Sequence, residues 1–210
     1  LDLKAEPVSL PKLMEEVIAL VRPDLQEKKL KLQLHPMEVE HEHILGDRLR
    51  LQQMFLILLF NAINYTPPGG VLELSVMEQE SKEYGCRSYD FIFRDNGIGM
   101  NEQFLPHIFE PFSRADDPVV SSIDGVGLGL SIAQNIARMM GGVISVKSTL
   151  GQGSQFTVTI ILRLQNSCEP SHCPPVPLQS DLPHTSFQGC RILLVEDNEL
   201  NQEIAVTILE

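Results

Sequence analysis

Positive charge, cysteine and long apolar runs are all scarce in this 210-residue sequence. Sixteen Lys and Arg face 28 Asp and Glu, a net charge of −12, which argues against binding to nucleic acid or an anionic membrane through clustered cations. The cysteines, at positions 86, 168, 173 and 190, are too scattered for the disulfide framework of a small secreted domain and fit a reducing compartment. The least charged stretch, residues 51–64, is too short to cross a bilayer. We therefore expect a cytoplasmic location and no contact with nucleic acid or membrane.

Apolar residues are plentiful enough to form a core, at 43% of the sequence. Composition changes once, at residues 164–189, which are rich in Pro and Ser and lack periodic apolar residues. This pattern predicts a linker. It separates a folded block, residues 9–163, from residues 190–210, which are too few to fold alone. Because the first residue is Leu1 rather than Met, we expect a piece of a longer protein.

Helix and strand patterns alternate within the block 9–163. Ser9 can cap a helix over residues 11–29, which Pro23 would kink or end. Asp47 can cap a second helix that stops at the turn 67–70, and a third helix fits residues 126–140. The first helix places its apolar face on Leu13, Val17, Leu20 and Val21. Strand patterns occur at 30–34, 43–45, 71–77, 88–94, 143–148 and 154–162. About three helices and a mixed, mostly antiparallel sheet predict a two-layer α/β sandwich.

The second helix carries polar residues on an otherwise apolar surface. Asn61, Asn64 and Tyr65 are three and four residues apart and therefore share a face. A buried carboxamide needs a partner, which is either a neighbouring backbone group or a ligand. As a ligand-binding group, the amide oxygen of Asn61 is suited to magnesium held between phosphate oxygens.

Two glycine-rich segments follow. Asp95 ends a strand and precedes Gly97 and Gly99, which either form an ordinary turn or let a flat ligand approach while the carboxylate accepts from its amine. Further on, glycines alternate at positions 125, 127 and 129 where the third helix begins. They serve either close packing or phosphate binding at the positive end of the helix dipole.

The order of these motifs resembles the ATP-binding domain of sensor histidine kinases. The resemblance rests on the Asn61 helix, Asp95-x-Gly97-x-Gly99, the residues 109–112 and the 125–129 glycine loop, and it spans residues 1 to about 162. It implies the ATP-binding sandwich shared with type II topoisomerases, MutL and the large heat-shock chaperone, known as the Bergerat fold. It also implies ATP and Mg²⁺ as cofactors.

Carried over by position, the family implies a role for each motif. Asn61 would bind magnesium and Asp95 would accept from the adenine amino group. The remaining ATP-binding residues would be Asn64, Tyr65, Gly97, Gly99, Met100, Arg114, Gly125, Gly127, Leu128 and Gly129. Residues from about 100 to 124 would form a lid in which Arg114 is the only cation, with Phe109 and Phe112 pinning it to the body.

Two positions depart from the family. The family usually has Asn where this chain has Ile57, and commonly Lys where it has Asn64. Losing the Lys would weaken phosphate affinity unless Arg114 substitutes. Topoisomerases and chaperones have a Glu at position 57 that activates water, and Ile57 cannot accept a proton. An ATP-hydrolysing clamp is thus disfavoured, while phosphoryl transfer and non-catalytic nucleotide sensing both stay open.

The C-terminal segment resembles the opening of a response-regulator receiver domain, with one strand and one helix. Glu196 and Asp197 would hold magnesium in a complete receiver. The resemblance is therefore to a hybrid histidine kinase, in which the γ-phosphoryl passes to a His on a phosphoacceptor helix pair and then to a receiver Asp. Residues 1–8 would lead out of that helix pair, whose absence here predicts a monomeric fragment of a homodimeric protein, which other regions could anchor in a membrane. The segment His41-Glu42-His43 precedes a strand and is expected to face solvent.

Overall fold

Segments with alternating apolar residues form strands of one sheet, and segments with the helical apolar period pack against it. The structure, a computed structural model, describes residues 3–113 and 126–165. Within these residues the strands are β1 (Glu6–Ser9), β2 (Lys31–Leu34), β3 (His43–Gly46), β4 (Val71–Glu80), β5 (Cys86–Asp95), β6 (Val143–Thr149) and β7 (Gly153–Leu164). The helices described are α1 (Leu10–Glu27), α2 (Arg48–Tyr65), α3 (Gly129–Met139) and a 3-10 turn at Leu105–His107.

The described strands form one mixed sheet in the order β1-β3-β7-β5-β4-β2, with β6 also paired to β7. β2 runs parallel to β4, and the other pairings among these strands are antiparallel. The central pair β5–β7 extends as far as Asp95 opposite Ser154. Asp95 therefore lies at the end of a central strand, beside the start of β7.

One face of the sheet is apolar and packs against the helices. Side chains alternate along β5, where Tyr89, Phe91 and Phe93 are buried and Arg94 is exposed. The Phe55 ring of α2 has its centroid 4.6 Å from that of Phe91 and 5.6 Å from that of Phe93. This packing confirms the two-layer α/β sandwich. The predicted receiver strand and helix, residues 190–210, lie outside the described residues.

The limits of α2 confirm the capping residue and the turn expected from the sequence. The Asp47 carboxylate accepts from the backbone N–H of Arg50 at 3.0 Å, which satisfies a free donor at the helix start. The helix ends at Tyr65, and the Thr66 hydroxyl donates to the Ala62 carbonyl at 2.7 Å. Both ends of this helix are thus defined by local polar groups.

α1 tests three expectations from the sequence. Ser9 occupies the N-cap position, but its side chain makes no capping hydrogen bond. The helix does not end at Pro23 but continues to Glu27, and a kink at Pro23 stays a prediction. Pro23 leaves the Ala19 carbonyl without its usual donor, but both residues are exposed, so water can bond there. Leu20 is 52% exposed and does not share the buried face of Leu13 and its neighbours.

Two further boundaries were not predicted. β1 is a strand, antiparallel to β3 with Glu6 opposite Gly46, although the sequence before α1 shows no clear strand pattern. The third helix begins at Gly129 rather than at residue 126, because Gly127 has a φ of +77°, outside the helical region. In the part of the chain that the structure describes, no helix is both long and apolar enough to span a membrane.

A group of polar side chains, here called the Glu78 cluster, joins the chain before β3 to the far end of β4. Glu78 accepts from the backbone N–H groups of Glu40 and His41 at 2.8 Å, and its other oxygen lies 2.7 Å from His41 Nδ1 and 3.2 Å from Arg87 Nε. The Tyr89 hydroxyl donates to the His41 carbonyl at 2.8 Å. Glu42 and His43 are exposed, as expected, whereas the His41 side chain is 36% exposed and has its Nδ1 bound to the Glu78 carboxylate.

Candidate functional site

The end of α2 presents polar side chains to a cavity of about 320 Å³. Asn61, Asn64 and Tyr65 all line this cavity, which agrees with the shared face expected from their spacing. Within residues 3–113 and 126–165, the Asn61 carboxamide makes no hydrogen bond. Among these residues no backbone group satisfies it, and the role of its oxygen as a ligand-binding group stays a prediction.

Asp95 brings a buried carboxylate to the same cavity from the end of β5. The residue is 6% exposed, and its Oδ1 accepts from the backbone N–H of Gly97 at 2.8 Å and of Ser154 at 3.3 Å. Among the described residues, no hydrogen bond reaches Oδ2. Burial raises the pKa of Asp95, an effect that the two N–H groups only partly oppose. The carboxyl group thus has one oxygen committed to the fold and one free for a ligand donor.

The loop after Asp95 needs glycine because backbone approaches it from two sides. A Cβ on Gly97 would collide with the carbonyl oxygen of Tyr65, and one on Gly99, where φ is +64°, would collide with that of Thr149. The Ile98 N–H donates to the Tyr65 carbonyl at 3.1 Å. These glycines therefore hold the loop between the end of α2 and the β6–β7 turn, and a role in admitting a ligand stays a prediction.

Met100 follows this loop and lines the cavity as well. Its backbone N–H donates to the Ser148 hydroxyl at 2.8 Å, which fixes the start of the segment predicted to be a lid. Phe109 packs against the core, as expected for a lid anchor. Phe112 is 69% exposed with a φ of +63°, so the prediction that it pins the lid is wrong for this residue.

The start of α3 completes the cavity wall. Gly127 and Gly129 line it, whereas Leu128 does not, and its carbonyl instead accepts from the Ser131 hydroxyl at 2.8 Å. A Cβ on Gly129 would lie 3.3 Å from the side chain of Ile57, which also lines the cavity. The helix start therefore faces the cavity beside an apolar wall. Two predicted residues, Arg114 and Gly125, lie outside the described residues.

Several cavity residues were not named from the sequence. They are Phe60, Ile98, Phe104, Ile108, Ser113, Leu130 and Ser154. Most are apolar, and an apolar residue in a helix or loop carries no signal that separates a pocket wall from the core. Ser154 is different, because it follows Gly153 in the glycine-rich turn before β7 and its N–H bonds Asp95. That turn was the signal that could have identified it.

Comparison with known proteins matches the region that forms this cavity. Residues 46–164, more than half of the chain, match the family described as "Histidine kinase-, DNA gyrase B-, and HSP90-like ATPase". Among curated proteins, the chain is 31% identical over 203 residues to the sensor histidine kinase AtsR of Burkholderia thailandensis, a match that covers 96% of this chain and 32% of AtsR. It is 35% identical over 183 residues to the autoinducer 2 sensor kinase/phosphatase LuxQ of Vibrio vulnificus, covering 87% of this chain and 21% of LuxQ. The chain thus spans a fifth to a third of the length of these relatives.

Solved structures show the same similarity. Full-length ShkA in complex with AMPPNP superimposes with a TM-score of 0.62 at 28% identity, covering 78% of this chain and 32% of ShkA. The mycobacterial sensor histidine kinase MprB gives a TM-score of 0.60 at 22% identity, covering 76% of this chain and 99% of that structure. At this identity the MprB match shows a shared fold alone.

Proposed function

Because the chain belongs to the histidine kinase-, DNA gyrase B- and HSP90-like ATPase family, with sensor histidine kinases among its homologues, we propose that residues 9–163 bind Mg-ATP in the cavity between α2, the loop after β5 and the start of α3. The observation that carries this proposal is the meeting of three unlike groups at one cavity. They are a buried carboxylate with one oxygen, and a carboxamide, that make no hydrogen bond to the described residues, and a glycine-flanked helix start. These groups suit the amine, metal and phosphate parts of one ligand.

Adenine would be recognised by Asp95. Its free Oδ2 accepts from the exocyclic amine, while Oδ1 stays bonded to Gly97 and Ser154. Apolar cavity walls on Ile98 and Met100 suit the faces of a planar base. This arrangement favours a base with an amino donor at that position over one with a carbonyl oxygen.

Magnesium and phosphate would lie at the other side of the cavity. The donor chemistry fits the ion, because the amide of Asn61, which makes no hydrogen bond to the described residues, would supply a hard oxygen and the phosphates would supply the others. Bound there, magnesium would neutralise phosphate charge. Gly127 and Gly129 line the cavity at the start of α3, where backbone N–H groups would bind phosphate, and Gly125 and Arg114 would extend the phosphate site. Asn64 and Tyr65 would border the nucleotide.

In the full-length protein, the γ-phosphoryl would pass to a histidine of a phosphoacceptor helix pair, and from there to an Asp of a receiver domain. Residues 1–8, 164–189 and 190–210 would be the exit from that helix pair, a linker and the start of the receiver. Glu196 and Asp197 would hold magnesium only in a complete receiver. The partners would be the chain's own helix pair and receiver, in a homodimeric protein that functions in the cytoplasm, whereas the fragment alone would be monomeric.

A non-catalytic nucleotide sensor is the second candidate. The observation that favours it is Ile57, which places an apolar side chain on the cavity wall beside the start of α3. An ATP-hydrolysing clamp is disfavoured by the same residue, because Ile cannot act as a general base. Transfer of phosphoryl to a supplied helix pair separates the kinase from the sensor, and turnover in its absence would indicate the clamp.

Nucleotide binding is tested by calorimetric titration with a non-hydrolysable ATP analogue, with and without magnesium. The expected result is binding that magnesium strengthens, and that Asn61→Ala weakens only when magnesium is present. Asn135→Ala, which removes an exposed carboxamide of α3 outside the cavity lining, is the control and should bind as the parent does. No binding by the parent would overturn the proposed function.

A further inference from the structure

The last turn of α2 contains no basic residue, and a lysine from outside the helix takes that place. Lys28 follows α1 and is partly buried against this turn. Its ammonium donates to the carbonyl oxygens of Ile63 and Asn64, at 2.7 Å each. Carbonyls at a helix end lack intrahelical donors and carry the negative end of the dipole. A cation there therefore stabilises the turn.

This turn also supports the loop that carries the adenine-side groups of the cavity. The Tyr65 carbonyl, one residue beyond those that Lys28 binds, accepts from the Ile98 N–H at 3.1 Å. Gly97 packs against the same carbonyl oxygen closely enough to exclude a Cβ. Asn61 and Asn64 project from the helix end on the cavity side. A shift of this one turn would therefore move the polar groups on both sides of the cavity.

We propose that Lys28 is a positioning residue of the nucleotide site, acting through the end of α2 without contact with the ligand. Lys28 does not line the cavity, and both of its hydrogen bonds go to backbone carbonyls. Burial lowers the pKa of Lys28, so the ammonium is held in a partly desolvated place that only the carbonyls compensate. The inference rests on the proposed binding of nucleotide.

Four variants separate positioning from charge and from stability. Lys28→Met keeps the aliphatic stem and removes the donors, and Lys28→Arg restores a cation with donors. Lys31→Met removes a neighbouring exposed lysine and controls for the lost charge. Leu25→Ala removes a buried side chain of α1 and controls for general destabilisation, because a leucine side chain donates no hydrogen bond to either carbonyl.

The first measurement is calorimetric titration of each folded variant with AMPPNP and magnesium. We expect Lys28→Met to bind about tenfold more weakly than the parent, and Lys28→Arg to recover to within about threefold. Lys31→Met and Leu25→Ala should bind as the parent does. Unchanged affinity in Lys28→Met, or an equal loss in Leu25→Ala, would overturn the positioning role while leaving nucleotide binding intact.

The second measurement needs no nucleotide. Amide hydrogen exchange of Ile98, whose N–H bonds the Tyr65 carbonyl, should be faster in Lys28→Met, whereas exchange of Phe91 in the central strand should change only as global stability does. Equal exchange of Ile98 in parent and variant would reject the coupling between the turn and the loop. If the parent binds no nucleotide, the proposed function fails and Lys28 has no site to position. The exchange result then shows separately whether the mechanical link exists.

Discussion

The paired strands β4 and β5 carry a buried carboxylate near each end, and the two have opposite surroundings. Asp95 receives only backbone N–H groups on one oxygen, and burial raises its pKa. Glu78 is also desolvated, but hydrogen bonds from His41 and Glu40 outweigh that burial and lower its pKa. Arg87 adds an ion pair at 3.2 Å. The carboxylate with both oxygens bonded stabilises the fold, whereas the one with a free oxygen keeps the capacity to bind a ligand.

The largest expected effect comes from Asp95→Asn. Asn has one acceptor oxygen, and if that oxygen takes the N–H groups of Gly97 and Ser154, its own NH₂ faces the adenine amine, donor against donor. We expect ATP-analogue affinity to fall roughly 100-fold and the preference over a guanine nucleotide to disappear in competition titrations.

The control is Asp90→Asn, the same change on the same strand but on the face away from the cavity, where Gln79 and Thr159 are the partners. Its affinity should match the parent. The unfolding free energy of Asp95→Asn should not be lower than that of the parent, because a buried charge is removed. Parent-like adenine selectivity in Asp95→Asn would show that the adenine assignment is wrong.

Glu78→Gln should lower the stability of the protein and leave its nucleotide affinity unchanged, the reverse of Asp95→Asn. The amide cannot accept from the same donors and leaves Arg87 without its counter-ion, so the unfolding free energy should fall by about 2 kcal/mol. Urea denaturation followed by circular dichroism measures this loss. Nucleotide affinity of the folded protein should be unchanged. A loss of affinity as large as that in Asp95→Asn would mean that the two ends of the sheet are coupled.

As pH decreases, Asp95 should become protonated before Glu78. Because the pKa of Asp95 is raised above its ordinary 3.8, nucleotide affinity should fall first as pH decreases. Glu78 has a lowered pKa, so its contribution to stability is complete above its ordinary value of 4.5 and is lost as pH falls through the lowered value.

Two differences isolate these steps. The first is the ratio of the parent's ATP-analogue affinity to that of Asp95→Asn, in which protonation of the nucleotide itself cancels. As pH is lowered, this ratio should begin to decrease at a higher pH than the second difference does. The stability difference between parent and Glu78→Gln should stay constant above about pH 4.5 and shrink below it. If the affinity ratio and the stability difference changed with the same pH midpoint, the proposed difference in pKa between Asp95 and Glu78 would be wrong.

The smallest expected effect is a gain, from Asn64→Lys. Asn64 borders the cavity but is exposed, so an added ammonium would attract phosphate through screened solvent. We expect affinity for the ATP analogue to rise about threefold at low salt and the gain to vanish near 0.5 M salt. Titrations at two ionic strengths measure it, with Asn135→Lys, at an exposed position outside the cavity lining, as a control for net charge. A gain that persists at high salt would indicate a direct, desolvated contact instead.

Local chemistry made much of the fold predictable. The Asp47 cap, the end of α2 before the turn 67–70 and the alternation along β4, β5 and β7 depend on residues close in sequence, and the structure agrees with each. β1 was missed because its four residues become a strand only by pairing with β3. The effect of Pro23 could not be predicted because it depends on which side of α1 faces solvent.

The candidate site, like the fold, has some features that could be predicted from the sequence and others that depend on tertiary packing. By themselves, the residue types and spacings of Asn61, Asp95 and the glycines at 127 and 129 indicated groups suited either to a ligand or to the fold, and the resemblance to sensor histidine kinases assigned them to a nucleotide. Only the tertiary structure decided that the Asp95 carboxylate has one free oxygen, that His41 is held by Glu78, and that Lys28 caps the end of α2. Each of these is a contact between residues more than 30 apart in the sequence or a matter of burial. Such contacts exist only after the helices have packed on the sheet.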